Sequence, residues 1–254
     1  MLNNNIHVRD IRIQFDEPTH IYTIDDSSIN VISVTTFLHL FFEKFDSDKV
    51  IDQMMSNKEK FDHGPYKSMT KIEIQDKWLK DGQHASKLGT EMHKNIENFY
   101  QQGLIIKDNK EFDYFLNFHQ DEIIAKGLIP YRSEWSIFIE NIKLAGQLDM
   151  LYKHPYNNTY ILYDWKRSKN IVYKNYCKKN CLYPLEHLSD CNYTHYSLQL
   201  NLYKYILETY YDLMISEMYL IILHPNQENY EKISVPILQD EIKSILDIKK
   251  MNLN

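Results

Sequence analysis

Asp164 and Lys166 stand two apart in Tyr163-Asp164-Trp165-Lys166. In a strand that spacing puts both on one side and turns Tyr163 and Trp165 to the other. The pair would equally serve as a surface ion pair, so it carries little alone. Asp149 follows Leu144-Ala145-Gly146-Gln147-Leu148, with a glycine three residues earlier that permits close backbone approach. It could start a turn, but the apolar run continues through Met150, Leu151 and Tyr152. An aspartate inside a strand is disfavoured and calls for a reason. If the two strands pair as a hairpin, Asp149 and Asp164 can share one cation. Mg²⁺ or Mn²⁺ takes hard oxygen ligands and keeps several waters, so two carboxylates suffice as its anchor. A lysine beside them can polarise the attacking water or offset charge on a phosphate, which makes a coherent phosphodiester-hydrolysing site. His93 and Glu97, four apart, share one helical face, with Met92, Ile96 and Phe99 as its apolar stripe. A single helical histidine is also compatible with plain packing or solvation.

These residues need elements to hold them. Thr90 after Gly89 has the chemistry of an N-cap and Gly103 that of a stop, which predicts a helix between them. Glu134 to Glu140 alternates, with Trp135, Ile137 and Ile139 on one face; Leu144 to Tyr152 and Thr159 to Lys166 follow as strands. Tyr196 to Tyr211 returns to helical spacing, Glu217 to Leu223 reads as an apolar strand, Lys232 to Leu238 as an edge strand, and Gln239 to Lys249 as a closing helix. Before them, Ile11 to Asp25 reads as a hairpin, and Thr35 to Phe45 and Lys71 to His84 as helices. The order helix, three strands, helix, strand predicts an α/β fold with a central sheet built on an antiparallel meander, not a doubly wound nucleotide-binding sheet. No glycine-rich phosphate loop is present.

The bulk properties set bounds. The chain has 254 residues, 43% hydrophobic and 25% charged with both signs mixed, which suits one soluble domain near the upper size limit. We expect residues 1–88 to elaborate a catalytic core of 89–225, followed by a strand and helix over 226–254. A net charge of −6 argues against a protein that coats nucleic acid and leaves open an enzyme that meets it in one cleft. Three cysteines make a disulfide framework unexpected and a reducing, intracellular compartment natural. Neither a signal-like apolar run nor a span long enough for a bilayer is found, so no membrane partner is expected.

Four segments taken together resemble a family. Gly89-Thr90-x-x-His93-x-x-Ile96-Glu97, Gly146-x-x-Asp149, Asp164-Trp165-Lys166 and Gln199-x-x-x-Tyr203 are similar, in order, to the motifs of RecB-type nucleases. These belong to the PD-(D/E)XK superfamily, with the RecB and AddAB nuclease domains and the mitochondrial genome maintenance exonuclease. The likeness runs from about Gly89 to Pro225. His20-x-Tyr22 and Ser33-Val34-Thr35-Thr36 are similar to segments of phage-like and large-virus relatives. The resemblance implies a restriction-endonuclease-like core with a mixed sheet flanked by helices. It implies a Mg²⁺- or Mn²⁺-dependent deoxyribonuclease, an exonuclease of repair, recombination or replication acting on single strands or duplex ends. His93, Asp149, Asp164 and the Trp165 carbonyl would bind the metal, and Lys166 would be the catalytic lysine. Gln199 and Tyr203 would brace the site, with Glu97 and Glu134 in supporting places. Where relatives have Asp-Trp-Lys-Thr-Ser, this chain has Arg167-Ser168 after the lysine, which leaves the contact of Arg167 open. A non-catalytic nucleic-acid-binding module on the same fold is the alternative, although every motif residue is retained.

From Lys166 to Lys179 the chain carries Arg167, Lys169, Lys174, Lys178 and Lys179 with no acid, and Tyr173 and Tyr176 lie between them. Beside the site this would be a flap that neutralises phosphates and stacks bases; a solvated basic loop is the equal alternative. Several relatives hold an iron–sulfur cluster with one cysteine before the first motif and three near the C-terminus. Cys177, Cys181 and Cys191 all fall between Lys166 and Gln199, so no such cluster is expected. Together with His187 they match no standard zinc spacing, and ordinary thiols explain them better.

Overall fold

The structure, a computed structural model, describes residues 5–29 and 31–251. Positions 1–4, 30 and 252–254, which include both ends of the expected domain, lie outside the described residues. Two compact units are present: Met1–Glu43 with Met92–Asn254, and Lys44–Glu91. The elaboration expected over 1–88 is thus divided between them.

In chain order the elements are β1 (Ile13–Asp16), β2 (Ile21–Ile24), β3 (Ile32–Ser33), α1 (Val34–Leu38), α2 (Ser47–Ser56), α3 (Lys58–Asp62) and α4 (Lys71–Gln102). There follow α5 (Lys110–Phe118), β4 (Ile129–Ile139), β5 (Leu144–Lys153), β6 (Tyr160–Lys166), α6 (Asn192–Tyr210), β7 (Ile215–Ile222), β8 (Glu231–Ser234) and α7 (Gln239–Met251). A short 3-10 turn follows α1 at His39–Phe41, and a π-helical stretch follows α5 at His119–Ile124. The fold is α/β, with a mixed central sheet flanked by helices.

β4, β5 and β6 form the antiparallel meander, while β6 pairs β7 in parallel and β7 pairs β8 antiparallel. β3 adds a short parallel partner to the start of β5, at Ile32↔Leu144 and Ser33↔Ala145. β1 and β2 pair by themselves as the expected hairpin. Alternate residues of β6 enter different cores, as period-2 geometry requires. Leu162 joins the core shared with α1, α6 and α7, whereas Ile161, Tyr163 and Trp165 join that of α5 and the last turns of α4.

Some local expectations are corrected. Thr90 is not an N-cap, and the helices expected at Lys71–His84 and from Thr90 are one helix, α4. The Thr90 hydroxyl donates to the Ser86 carbonyl at 3.2 Å, which satisfies it inside the helix. Gly103 does end it, at φ 69° with its amide on the Phe99 carbonyl. The helix expected over Thr35–Phe45 is a single short helix and a 3-10 turn, capped by the Ser33 hydroxyl on the Thr36 amide. Among the described residues no helix is long and apolar enough to cross a membrane.

Candidate metal centre

The β5–β6 ladder runs from Lys153↔Tyr160 to Met150↔Tyr163 and stops there. The next pair would set Asp149 opposite Asp164, so both carboxylates stand where the two strands part. On the other flank of β5, Ser133↔Met150 and Trp135↔Leu148 bracket Glu134, which therefore faces Asp149 across the β4–β5 ladder. Three acids thus occupy one cross-strand row, an arrangement that costs stability unless positive charge offsets it. Glu134 has φ 45°, a left-handed conformation uncommon for a residue with a side chain. Its carbonyl accepts the Gln147 amide at 3.0 Å, which helps to fix the kink. Strain of this kind is retained where the surroundings over-determine it, and it gathers at functional sites.

His93 of α4 reaches the row. Its Nδ1 lies 3.6 Å from Glu134 Oε1 and 3.7 Å from Asp149 Oδ1, and its Nε2 lies 3.1 Å from the Trp165 carbonyl oxygen. One ligand atom from each of His93, Glu134 and Asp149 falls within 4.8 Å of the others, close enough to hold a divalent metal. Asp149 also accepts the Trp165 amide at 2.7 Å, which ties the parted strands together. Asp164 is 1% exposed, and Lys166 Nζ approaches its Oδ2 at 2.6 Å. The other Asp164 oxygen, Oδ1, is buried without a hydrogen-bond partner among the described residues.

The charges respond to this crowding. Burial raises Asp149 and Glu134 above the ordinary carboxylate range, although His93 opposes it in both. Burial raises Asp164 to about 7; the Lys166 charge pulls it down and Asp149 pushes it up. His93 would be lowered by burial, but the Asp149 and Glu134 carboxylates outweigh that and lift it to about 9. Lys166 is likewise raised, because Asp164 and Asp149 overcome its desolvation. A proton on His93 and the Lys166 ammonium thus offset the acids when no metal does so.

A divalent cation fits this set. Asp164, expected as a ligand, lies outside the group of His93, Glu134 and Asp149, and its buried Oδ1 is left without a hydrogen-bond partner among the described residues. The group offers two carboxylates and an imidazole, oxygen and nitrogen donors with no thiolate.

On α6, the Gln199 side-chain amide donates to the Tyr203 hydroxyl at 3.1 Å. Tyr203 lies over Gly146, where an added Cβ would come 2.7 Å from its Cε1 and 3.0 Å from Val34 Cγ2. Lys166 Nζ sits 4.9 Å from the Tyr196 ring centroid, a cation–π contact that the sequence reading missed. Its signal was the helical period, since Tyr196 lies about one turn before Gln199. Glu134, given only a supporting place from sequence, stands in the ligand group itself. Glu97 does not enter that group; it pairs with Lys94 at 2.7 Å and accepts the Gln101 amide at 2.6 Å.

The basic segment is divided. Arg167 is drawn into an ion pair with Glu111 of α5 at 2.8 Å, both side chains at most 15% exposed. Lys169, Lys174, Lys178 and Lys179 are exposed, and Lys179 pairs with Glu43 at 2.5 Å. Tyr173 packs on Tyr193 at 4.6 Å between centroids, while Tyr176 is 91% exposed. Cys177 is exposed, and Cys181 and Cys191 are buried as free thiols.

No protein-family model matches the sequence, and no curated protein matches it. Solved structures similar to this chain include the protein SSO0001, at 14% identity and TM-score 0.35, covering 89% of this chain and 77% of that one. Another is a "putative exonuclease" from Eubacterium rectale, at 12% identity and TM-score 0.37, covering 88% of this chain and 79% of that one.

Proposed function

We propose that this chain is a Mg²⁺- or Mn²⁺-dependent nuclease of the RecB type within the PD-(D/E)XK superfamily, hydrolysing phosphodiester bonds of DNA as an exonuclease. One observation carries the reading. Glu134, Asp149 and Asp164 form a largely buried row of acids with His93 beside the first two, Asp164 Oδ1 is left without a hydrogen-bond partner among the described residues, and Lys166 stands at the end of the row. A chain that folds around such a row is built to gain a cation.

His93, Glu134, Asp149 and Asp164, with the Trp165 carbonyl, would hold the metal. When bound, it would lower the pKa of a water and polarise the phosphate. The fork between β5 and β6 fixes the carboxylates on rigid strands, so little reorganisation is needed when the substrate arrives. Lys166, paired to Asp164 in the free protein, is placed to orient the attacking water or to stabilise charge on the phosphate oxygens. Tyr196 holds its ammonium from the α6 side. Tyr203 and Gln199 keep α6 against Gly146, three residues from Asp149. His93 would have to give up its proton to serve as a ligand, which would couple metal uptake to proton release.

The test is incubation of the purified protein with labelled linear, circular, single-stranded and double-stranded DNA. Cleavage that needs Mn²⁺ or Mg²⁺ and stops with chelator is the expected result. DNA binding with no cleavage under any metal would instead favour a non-catalytic binding module.

A further inference from the structure

A second feature lies beside the acidic row and takes no part in it. The β1–β2 hairpin and the start of α1 enclose a cleft of about 350 Å³. Its walls include Phe15, His20, Tyr22, Ser33, Thr35 and Thr36. Phe15 stacks on Tyr22 with centroids 4.5 Å apart and planes 28° apart. The His20 ring stands edge-on to Phe15 at 5.8 Å, held at φ 55° with its Nδ1 2.6 Å from the Glu17 carbonyl oxygen. The opposite wall is hydroxylic: Ser33 Oγ lies 2.9 Å from Thr35 Oγ1 and donates to Thr36 Oγ1 at 2.8 Å. Among the described residues no carboxylate lines the cleft.

Its position is set by the same strands as the metal centre. Ser33 pairs with Ala145 of β5, and Val34 and Tyr203 meet over Gly146, three residues from Asp149. Tyr22 is close enough to Glu134 for that carboxylate to help raise its hydroxyl pKa, after burial.

We propose that this cleft is a subsite for one nucleotide of a single-stranded polynucleotide, its base against Phe15 and His20 and its sugar–phosphate on the Ser33, Thr35 and Thr36 hydroxyls. Placing it next to the bond that is cut rests on the nuclease reading above. Three features select this occupant. A wall free of carboxylates does not repel a phosphodiester, and hydroxyls are common phosphate contacts. An aromatic face accepts any base by stacking. A base within a duplex has both faces occupied by its neighbours, so only an unstacked one can use such a wall.

Binding of a fluorescein-labelled oligothymidylate, followed by anisotropy with chelator present, tests this without requiring cleavage. Loss of one stacked base should make Phe15→Leu bind roughly 5- to 100-fold more weakly. Thr35→Val keeps the shape and removes one hydroxyl, so it should weaken binding about 2- to 10-fold. His20→Asn, which tolerates the left-handed backbone, should fall between the two. Unfolding temperatures close to that of the unaltered chain establish that the variants are folded. Folded Phe15→Leu and Thr35→Val proteins that bind the oligonucleotide as tightly as the unaltered chain would overturn the subsite. So would a duplex of equal length that binds more tightly than the single strand and ignores Phe15→Leu. Absence of Mn²⁺-dependent cleavage by the unaltered chain strikes the nuclease reading alone.

Discussion

β4 borders two acidic sites that are balanced in opposite ways. Near Arg132 and Glu140 the N-terminal segment supplies the partners. Asp10 accepts from Arg132 at 2.7 Å, from the Trp135 indole at 2.8 Å and from the His7 amide at 2.9 Å. Glu140 meets Arg9 at 2.7 Å and Arg12 at 3.3 Å. Burial pushes the Asp10 carboxyl up, yet those three bonds outweigh it and hold it below its ordinary range. At Glu134 the balance reverses: burial wins, the carboxyls rise, and Asp164 keeps Oδ1 without a hydrogen-bond partner among the described residues. The chain pairs the acids of the first cluster by itself and leaves the second short of positive charge. Structural acids are paired internally; acids that face one another in a buried row await something from outside.

The largest effect that tests this contrast is on the incomplete site. Lys166→Ala should lower cleavage by roughly 10²- to 10⁴-fold, the usual range for a positioned acid–base group. Mn²⁺ affinity should hold or tighten, since a nearby positive charge has gone. Asp164→Asn should lower both, because it removes a proposed ligand. Calorimetric titration with Mn²⁺ beside a cleavage assay separates the two variants. If Lys166→Ala cuts at the normal rate, or Asp164→Asn binds metal unchanged, the assignment of the row fails.

The completed cluster should behave in the converse way. Asp10→Ala leaves Arg132 and the Trp135 indole without their carboxylate and should cost about 2–4 kcal/mol of unfolding free energy. Cleavage per folded molecule should stay unchanged. Because the folded Asp10 pKa lies below its unfolded value, its contribution is complete above the ordinary carboxylate range. It is lost as pH falls through the depressed folded value. Urea titrations at neutral pH and at successive steps into acid measure this, since the gap between the variant and the unaltered chain should narrow as pH falls. A deficit that persists in acid would mean that packing, not charge, is lost.

Gly146 lies behind the row, and Gly146→Ala should cost about 1–3 kcal/mol by overpacking. The Cβ would meet Tyr203 at 2.7 Å and Val34 at 3.0 Å, and neither has a flexible tip to yield. The loss should be accompanied by a lower kcat, because Tyr203 and Asp149 are positioned through this residue. Unfolding and steady-state kinetics on one preparation check both; loss of stability at normal kcat would separate the α6 brace from the site.

The readable parts of the site were those set by local period. Two-residue spacing placed Asp164 and Lys166 on one side, and the apolar run around Asp149 identified its strand. The long-range parts were hidden. Glu134 enters the row through the β4–β5 register, which sets it opposite Asp149 and cannot be read from either strand alone. The two-residue strand β3 is too short to carry a pattern, yet it sets Val34 over Gly146. Thr90 followed Gly89 as a cap would, but a threonine can bond back to the carbonyl four residues earlier and let the helix continue. Arg167 read as part of a basic run; its partner, Glu111, lies 56 residues away in sequence and shows only in the fold.

That run gives the smallest effect and the last test. Lys174 and Lys178 are exposed, and Lys179 faces Glu43 across a half-exposed pair, so none of them resembles either buried cluster. Their role, if they meet nucleic acid, is to displace counterions from phosphates. Each phosphate contact contributes roughly 0.7–0.9 to the slope of log affinity against log salt, so charge reversal at all three should flatten it by about two to three units. Lys179→Glu alone should do less than Lys174→Glu or Lys178→Glu, since Glu43 already offsets part of its charge. Cleavage at saturating substrate should survive, because Lys166 and the acids are untouched. Arg167→Gln should instead act on stability, as it strands Glu111 at a site that is at most 15% exposed. Anisotropy titrations over a salt series, paired with urea unfolding, distinguish the two kinds of cation. An unchanged slope in the triple variant would turn this segment away from nucleic acid and leave the cleft at Phe15 and the row at Asp164 as the contacts that remain.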